Sequence, residues 1–372
     1  MDRNERLVGI ELLRFTAALA VLVWHFQNFW LPGSATEVFS RSAQPYAWLL
    51  APFYLYGQAG VQLFWCISGF IFTWKYQVPI HERNVSFGRF AWWRLSRLYP
   101  LHLATLLIVA GLNTVYFWHH GEYFVYQTNN LKHFLLQLAF ASQWGFQDDN
   151  SFNGPVWSVS VEIPVYLLFF FLTRRWRGSF WTDAAVVVLA SIAYQTLRQG
   201  AHVKLEIFGA ITFFYLGAAT YRLWVWALAD AVRQRWTTWS AAVAVMAMCA
   251  AVALHVLKMA GAGLAMFPAA ILFVQLAVRP ASRSAAKTME FIGNLTYASY
   301  MTHFPLQIAM VLGFEAMGAR LADYFATWWL LPLYLGIVMV LAPAVYFGFE
   351  RPAQAWMRRR FVQEMVTPLS TG

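Results

Sequence analysis

Apolar residues run through this chain in long blocks separated by short polar or basic stretches, and the blocks recur on the scale of a membrane crossing. A helix needs about 20 mostly apolar residues to traverse roughly 30 Å of hydrocarbon. Ten windows meet that demand, at about 8–30, 53–74, 99–118, 155–173, 183–197, 207–225, 240–257, 263–278, 289–312 and 328–349. Aromatic residues gather at their ends, as at Trp24, Phe26 and Trp30 or at Trp328 and Trp329, in the manner of an interfacial belt. The pattern predicts an all-α, polytopic membrane bundle of about ten helices, forming one domain over residues 1–372. The one long connection, 119–154, carries His119, His120, Asp148 and Asp149 together with the apolar stretch Leu131–Trp144. That stretch is too short to span and predicts an interfacial or re-entrant helix.

Composition removes the soluble alternatives. Hydrophobic residues make up 60% of the chain and charged residues 12%, against roughly 25% charged in an ordinary globular domain. A net charge of +10 would suggest nucleic acid in a soluble protein. In a membrane chain it marks cytoplasmic loops, and no nucleic-acid partner is expected. With the N-terminus cytoplasmic, 20 of the 27 Lys and Arg fall on that side and 6 on the other, with Arg14 left inside the first window. This asymmetry predicts an even number of crossings and both termini in the cytoplasm. Cys66 and Cys249 lie inside apolar runs, so neither a disulfide framework nor a metal site is expected. The first apolar run has no small-residue cleavage site after it, and no fused extracytoplasmic domain is expected.

Ionisable groups inside a span cost on the order of 3 kcal/mol or more and mark function by default. The first window holds Glu11, Arg14 and His25. Eleven residues are three helical turns plus about 20°, so Arg14 and His25 share a face, about 16 Å apart along the axis. Glu11 stands three residues before Arg14 and can pair with it. The stripe is either a structural ion pair with an interfacial histidine or a bundle-facing link between the two membrane surfaces. Glu162 is the clearest acid of the fourth window and needs a proton or a partner there, as a hydrogen-bond hub or a catalytic group. Ahead of the third window, Arg94 and Arg97 are helix neighbours at the membrane face. Their forks suit phosphate oxygens, anionic lipid or the setting of topology. The ninth window carries Asn294, Thr296, Tyr297, Tyr300 and His303, a stripe fit to line a cavity or to bond neighbouring helices.

Six ordered segments carry a resemblance. Glu11-Leu12-Leu13-Arg14 with His25, Ser68-Gly69-Phe70, Arg94-Leu95-Ser96-Arg97-Leu98-Tyr99-Pro100, Trp157-Ser158 through Glu162, Leu295-Thr296-Tyr297 through His303-Phe304-Pro305, and Phe349-Glu350-Arg351-Pro352 cover nearly the whole chain. In this order the chain resembles the acyltransferase 3 family of integral membrane acyltransferases. The resemblance implies a ten-helix protein of the bacterial cytoplasmic membrane that takes an acyl group, commonly acetyl, from cytoplasmic acyl-CoA. It passes that group to a hydroxyl of an extracytoplasmic glycan. The implied catalytic residues are His25, Arg14 and Glu162; the implied acyl-CoA site is Arg94, Arg97 and Arg14. Trp157, Ser158, Tyr297, Tyr300 and His303 are the expected substrate-lining residues. Two positions depart from the family pattern: Glu11 stands where Asp is frequent, and Gln62 where an acid is frequent.

Transfer from a thioester to a hydroxyl needs a base for the hydroxyl proton or a nucleophile that carries the acyl group. Histidine can serve as either. His25 is expected to act as base, with an acyl-histidine carrier as the second option. A secondary transporter or flippase with no bond-making chemistry is the rival reading from another class.

Overall fold

A computed structural model describes residues 7–30, 39–198, 206–280 and 282–366, and every regular element among them is helical. In chain order the helices are α1 Val8–His25, α2 Ala47–Tyr56, α3 Gly60–His81, α4 Phe87–His120, α5 Leu131–Leu138, α6 Trp157–Arg175 and α7 Phe180–Arg198. They continue as α8 Glu206–Leu228, α9 Ala231–Ala253, α10 Met259–Ala277, α11 Arg283–Ala316, α12 Leu330–Val345 and α13 Arg351–Val366. An all-helical bundle is what the bilayer demands, because hydrocarbon offers backbone groups no other partner. Helix starts follow capping chemistry. Ser86 caps α4 by accepting from Arg89 N at 3.3 Å, and Ser282 caps α11 by accepting from Ala285 N at 3.1 Å. Asp230 caps α9 by accepting from Val232 N and Arg233 N.

Each of the ten apolar windows falls on a helix, with shifted ends. Eight helical stretches among the described residues are long and apolar enough to cross a membrane: Val8–Phe29, Ala47–His81, Phe87–His120, Gly154–Arg175, Phe180–Leu197, Ala231–Ala253, Met259–Ala277 and Leu330–Arg359. The long helices α8 and α11, on the windows 207–225 and 289–312, are outside this set. Within the bundle α8 packs between α3 and α7, and α11 against α1, α4 and α12. A helix surrounded by other helices can carry polar groups that lipid would reject. The segment Arg89–Arg97 is the first part of the 34-residue α4 and not a loop. The stretch Leu131–Trp144 is helical only to Leu138, since Phe140 takes a left-handed backbone (φ 54°) that ends the helix. Arg3, Arg6 and Lys204 of the charge count lie outside the described residues, as do the side chains of Arg198 and Arg360.

The core divides into two clusters. One, built from α3, α6, α8, α10 and the parts of α1 and α11 around Val21 and Leu295–Met301, fills the end of the bundle that holds the N-terminus of α1. The other, from Leu22–Phe29, Leu106–Phe124, Phe304–Val311 and α12, fills the opposite end. Only α1, α4, α11 and the 140–156 segment with α12 feed both, and the polar stripe of α11 lies where the two meet.

The tightest helix pair is α3 with α8. A Cβ on Gly69 would fall on the Phe214 carbonyl, and one on Gly217 on the Cys66 carbonyl, so two glycines let the backbones touch. Gly217→Leu is therefore expected to lower the melting temperature in detergent by the equivalent of roughly 1–3 kcal/mol, the usual cost of overpacking. Gly336→Ala, inside α12 with nothing within 4 Å, should leave it unchanged or raise it slightly, since Ala favours a helix interior over Gly. Equal melting of the two variants would show that the α3–α8 approach is not constrained.

Candidate functional site

Arg14 and His25 both point from α1 toward α11. The Arg14 guanidinium donates to Glu11 Oε2 at 2.8 Å and to Thr296 Oγ1 at 3.1 Å. Glu11 fits there because α11 has glycine opposite it: a Cβ on Gly293 would occupy the place of its carboxylate. Three turns on, the His25 ring lies 4.7 Å, centroid to centroid, from the His303 ring, and both side chains are buried. His25 Nδ1 is 2.9 Å from the carbonyl of Val21, and His303 Nδ1 is 2.5 Å from that of Tyr300. A backbone carbonyl can only accept, so these bonds assign the proton of each ring to Nδ1 and leave each Nε2 with a lone pair. His303 Nε2 has no hydrogen-bond partner among the described residues.

The carbonyl of His25 is also held. Gln307 Nε2 donates to it at 2.8 Å, and Asn28 Nδ2 donates to Gln307 Oε1 at 3.0 Å. This capture coincides with the change of α1 into the tighter 3₁₀ turn Phe26–Phe29. Residues 296, 300, 303 and 307 thus form one stripe of α11 at helical spacing, facing Arg14 at one end and the histidine pair at the other.

Beside the stripe is a small cavity of about 100 Å³ whose wall includes Arg14, Trp65, Ser158, Glu162, Tyr297 and Tyr300. Ser158 Oγ and Tyr300 OH are 2.7 Å apart, and both hydroxyls lie within reach of the Pro155 carbonyl. Trp157 packs edge-on against Trp65, ring centroids 5.8 Å apart, and reaches the cavity through it. His303 stands behind Tyr300 on the stripe, rings 5.6 Å apart.

On the side away from the histidines the cavity meets the arginines. Arg94 donates to Tyr76 OH at 2.9 Å, and its guanidinium lies 4.9 Å from the centre of the Phe72 ring. It is also the cation in electrostatic reach of Glu162, whose carboxylate accepts from Tyr166 OH. Arg97 pairs with Glu350 and lies 5.6 Å from the centre of the Tyr297 ring, while Tyr297 OH donates to the Leu98 carbonyl at 2.6 Å. Glu350 ends the π-turn Tyr346–Glu350 that joins α12 to α13, and such turns are frequent at functional sites. Arg358 adds a third guanidinium, with Nε 3.3 Å from Ser96 Oγ. Glu11, Arg14, Arg97 and Glu350 interact with one another as a half-buried charge network.

The structure therefore brings Arg14, Ser158, Glu162, Tyr297 and Tyr300 to one cavity, His25 and His303 to one pair, and Arg94 and Arg97 to the cavity's charged end. Glu162 and Glu11 both stand with arginines, and the imidazole of His25 is oriented by backbone. Gln307, Asn28, Tyr166, Trp65 and Glu350 complete the site and are not singled out by sequence. Gln307 and Tyr166 each follow a singled-out residue by one helical turn, and Glu350 lies within the Phe349-Glu350-Arg351-Pro352 segment. Among the described residues no group of three or more His, Cys, Asp or Glu is placed to hold a metal ion.

The chain is 27% identical over 212 residues to Nodulation protein 10 of Rhizobium leguminosarum bv. viciae, a match covering 53% of this chain and 52% of that protein. The match spans about half the length of that relative. No solved structure matches the chain. The family model described as an acyltransferase domain matches residues 7–347, from the first turn of α1 to the π-turn before α13. This multi-pass helical membrane protein belongs to the acyltransferase 3 family.

Proposed function

We propose that this chain is an O-acyltransferase of the bacterial cytoplasmic membrane, moving an acyl group, acetyl in the first instance, from cytoplasmic acyl-CoA to a hydroxyl of an extracytoplasmic glycan. The observation that carries the reading is the α1–α11 seam: guanidinium groups at one end, a small cavity with Ser158, Glu162 and Tyr300 in its wall beside it, and an imidazole pair with an open Nε2 on His303 at the other end. The seam runs about 16 Å along α1, so a donor bound on one side and an acceptor on the other can meet within it. With ten crossings both termini share one side, and the excess of Lys and Arg on that side makes it the cytoplasmic one in this reading. The arginine end then faces inward, in keeping with the basic loops.

In this reading Arg94, Arg97 and Arg14 hold the phosphates of acyl-CoA and the entrance for its pantetheine arm. Ser158, Trp157, Tyr297, Tyr300 and His303 shape the path of the acyl group. His25 Nε2 takes the proton of the acceptor hydroxyl as its oxygen attacks the thioester carbon; the C–S bond breaks and CoA leaves with a proton as the free thiol. Arg14, three turns from His25, stays with the donor at the inner end, and Glu162 holds Arg94 in place.

The test is purified protein in proteoliposomes, supplied with acetyl-CoA and a glycan extracted from cells lacking the gene. Release of CoA thiol together with an acetyl mass on the glycan is the expected result. Movement of glycan or acetyl-CoA across the bilayer with the thioester intact would favour a transporter and overturn the reading.

A further inference from the structure

We infer that the cavity at the histidine end of the bundle is the subsite for a sugar ring of the acceptor, an inference that rests on the acyltransferase reading above. This cavity, about 460 Å³, opens between the C-terminal ends of α4 and α11 and the turn at Leu321–Tyr324. It is within the roughly 300–1,000 Å³ of small-ligand sites and is separate from the cavity at Arg14. Its wall includes Phe29, Tyr116, His120, Glu122, Glu315 and Arg320.

These groups are pre-ordered. His120 Nε2 is 3.0 Å from Glu315 Oε2, and the His120 ring stacks on buried Tyr116 with centroids 4.1 Å apart and planes 20° apart. A sugar ring presents hydroxyls that donate and accept around an apolar C–H edge. Carboxylates accept from such hydroxyls, imidazole and guanidinium donate to them, and an aromatic wall takes the C–H edge. Two carboxylates against one guanidinium favour a neutral sugar over an anionic one.

Position ties the cavity to the chemistry. Phe29 ends the 3₁₀ extension of α1, four residues past His25, and the wall residue Val311 stands one turn beyond Gln307 on α11. The cavity is thus built on the same two elements as the histidine pair, about 12 Å from His303 along α11, with the Asn28–Gln307 bond between them. On α4, Asn113 sits one turn before Tyr116, 1% exposed, and neither atom of its amide has a partner among the described residues. A buried, unsatisfied amide is costly unless a polar group visits it. By its spacing Asn113 shares the α4 face of Tyr116 and His120, next to the cavity wall.

The experiment measures transfer kinetics in proteoliposomes, with acetyl-CoA as donor and, as acceptor, the unacylated surface glycan extracted from cells lacking the gene. Glu315→Gln and His120→Gln should each raise the KM for glycan roughly tenfold, the effect of losing a hydrogen bond to a charged group. The KM for acetyl-CoA should stay as in the unmodified protein. Unchanged glycan KM in both variants overturns the subsite. Loss of transfer together with lower thermal stability and a raised KM for acetyl-CoA also overturns it, since the residues would then only support the fold. If the unmodified protein acylates no glycan, the acyltransferase reading fails, and that outcome is separate from either variant result.

Discussion

His25→Ala is expected to lower acyl transfer by about 10³-fold while changing acyl-CoA binding by no more than a few-fold. General-base catalysis is worth typically 10²–10⁴-fold, and no other ring nitrogen replaces His25 without moving. The neighbouring His303 is held by its own Nδ1 bond to the Tyr300 carbonyl, with the ring centroid 4.7 Å away. Geometry explains why binding survives: His25 is three turns from Arg14 and lies outside the wall of the cavity at the arginine end. His303→Gln should cost less, roughly 10-fold, because it removes a neighbour that positions the His25 ring and leaves the base in place. Mass spectrometry separates the two roles open to His25. Incubation of the intact protein with acetyl-CoA and no acceptor leaves an acetyl mass on the His25 peptide if the imidazole carries the group, and none if it acts as base. Transfer by His25→Ala within a few-fold of the unmodified rate would remove His25 from the chemistry altogether.

That the stripe on α1 faces the bundle was legible in the sequence, because an eleven-residue spacing puts Arg14 and His25 on one helix face whatever the surroundings. Its partner was only half legible. Thr296, Tyr300 and His303 announce a polar face on α11, yet nothing local says that this face meets α1, whose residues are some 280 positions away. Gln307 escaped notice because an amide inside a span raises no charge alarm, although it completes the same face one turn on. Arg94 and Arg97 were legible as neighbours, but not the direction each takes. One reaches Tyr76 on α3 and the other Glu350 beyond α12, choices made by packing between distant helices. The connection 119–154 was the least legible. Its helix begins where Asn130 caps it, but its return into the bundle depends on left-handed residues at Val125, Phe140 and Phe152. Side chains there give no sign of such backbone, since bulky and β-branched residues seldom adopt it.

Glu350→Gln is expected to be the most destabilising single change at the arginine end, by about 3 kcal/mol. Glu350 is 2% exposed and Arg97 21% at the side chain, so removing the carboxylate leaves a guanidinium largely out of water. Breaking a buried pair from one side costs about 3–5 kcal/mol, and the partial exposure of Arg97 keeps the value at the low end. Arg14, which shares the field of Glu350, adds a like charge that the lost carboxylate no longer offsets. The double variant Arg97→Gln with Glu350→Gln removes charge and countercharge together and should melt close to the unmodified protein, as neutral replacement of buried pairs often does. Activity should not follow stability. If Arg97 serves donor phosphate, the rescued double variant still binds acyl-CoA at least tenfold more weakly, because an amide cannot form the guanidinium fork. Calorimetry in detergent gives the first quantity and acyl-CoA titration the second. Recovery of both in the double variant would make the Arg97–Glu350 pair a structural clasp between α4 and the π-turn, and would leave Arg94 and Arg14 to hold the donor.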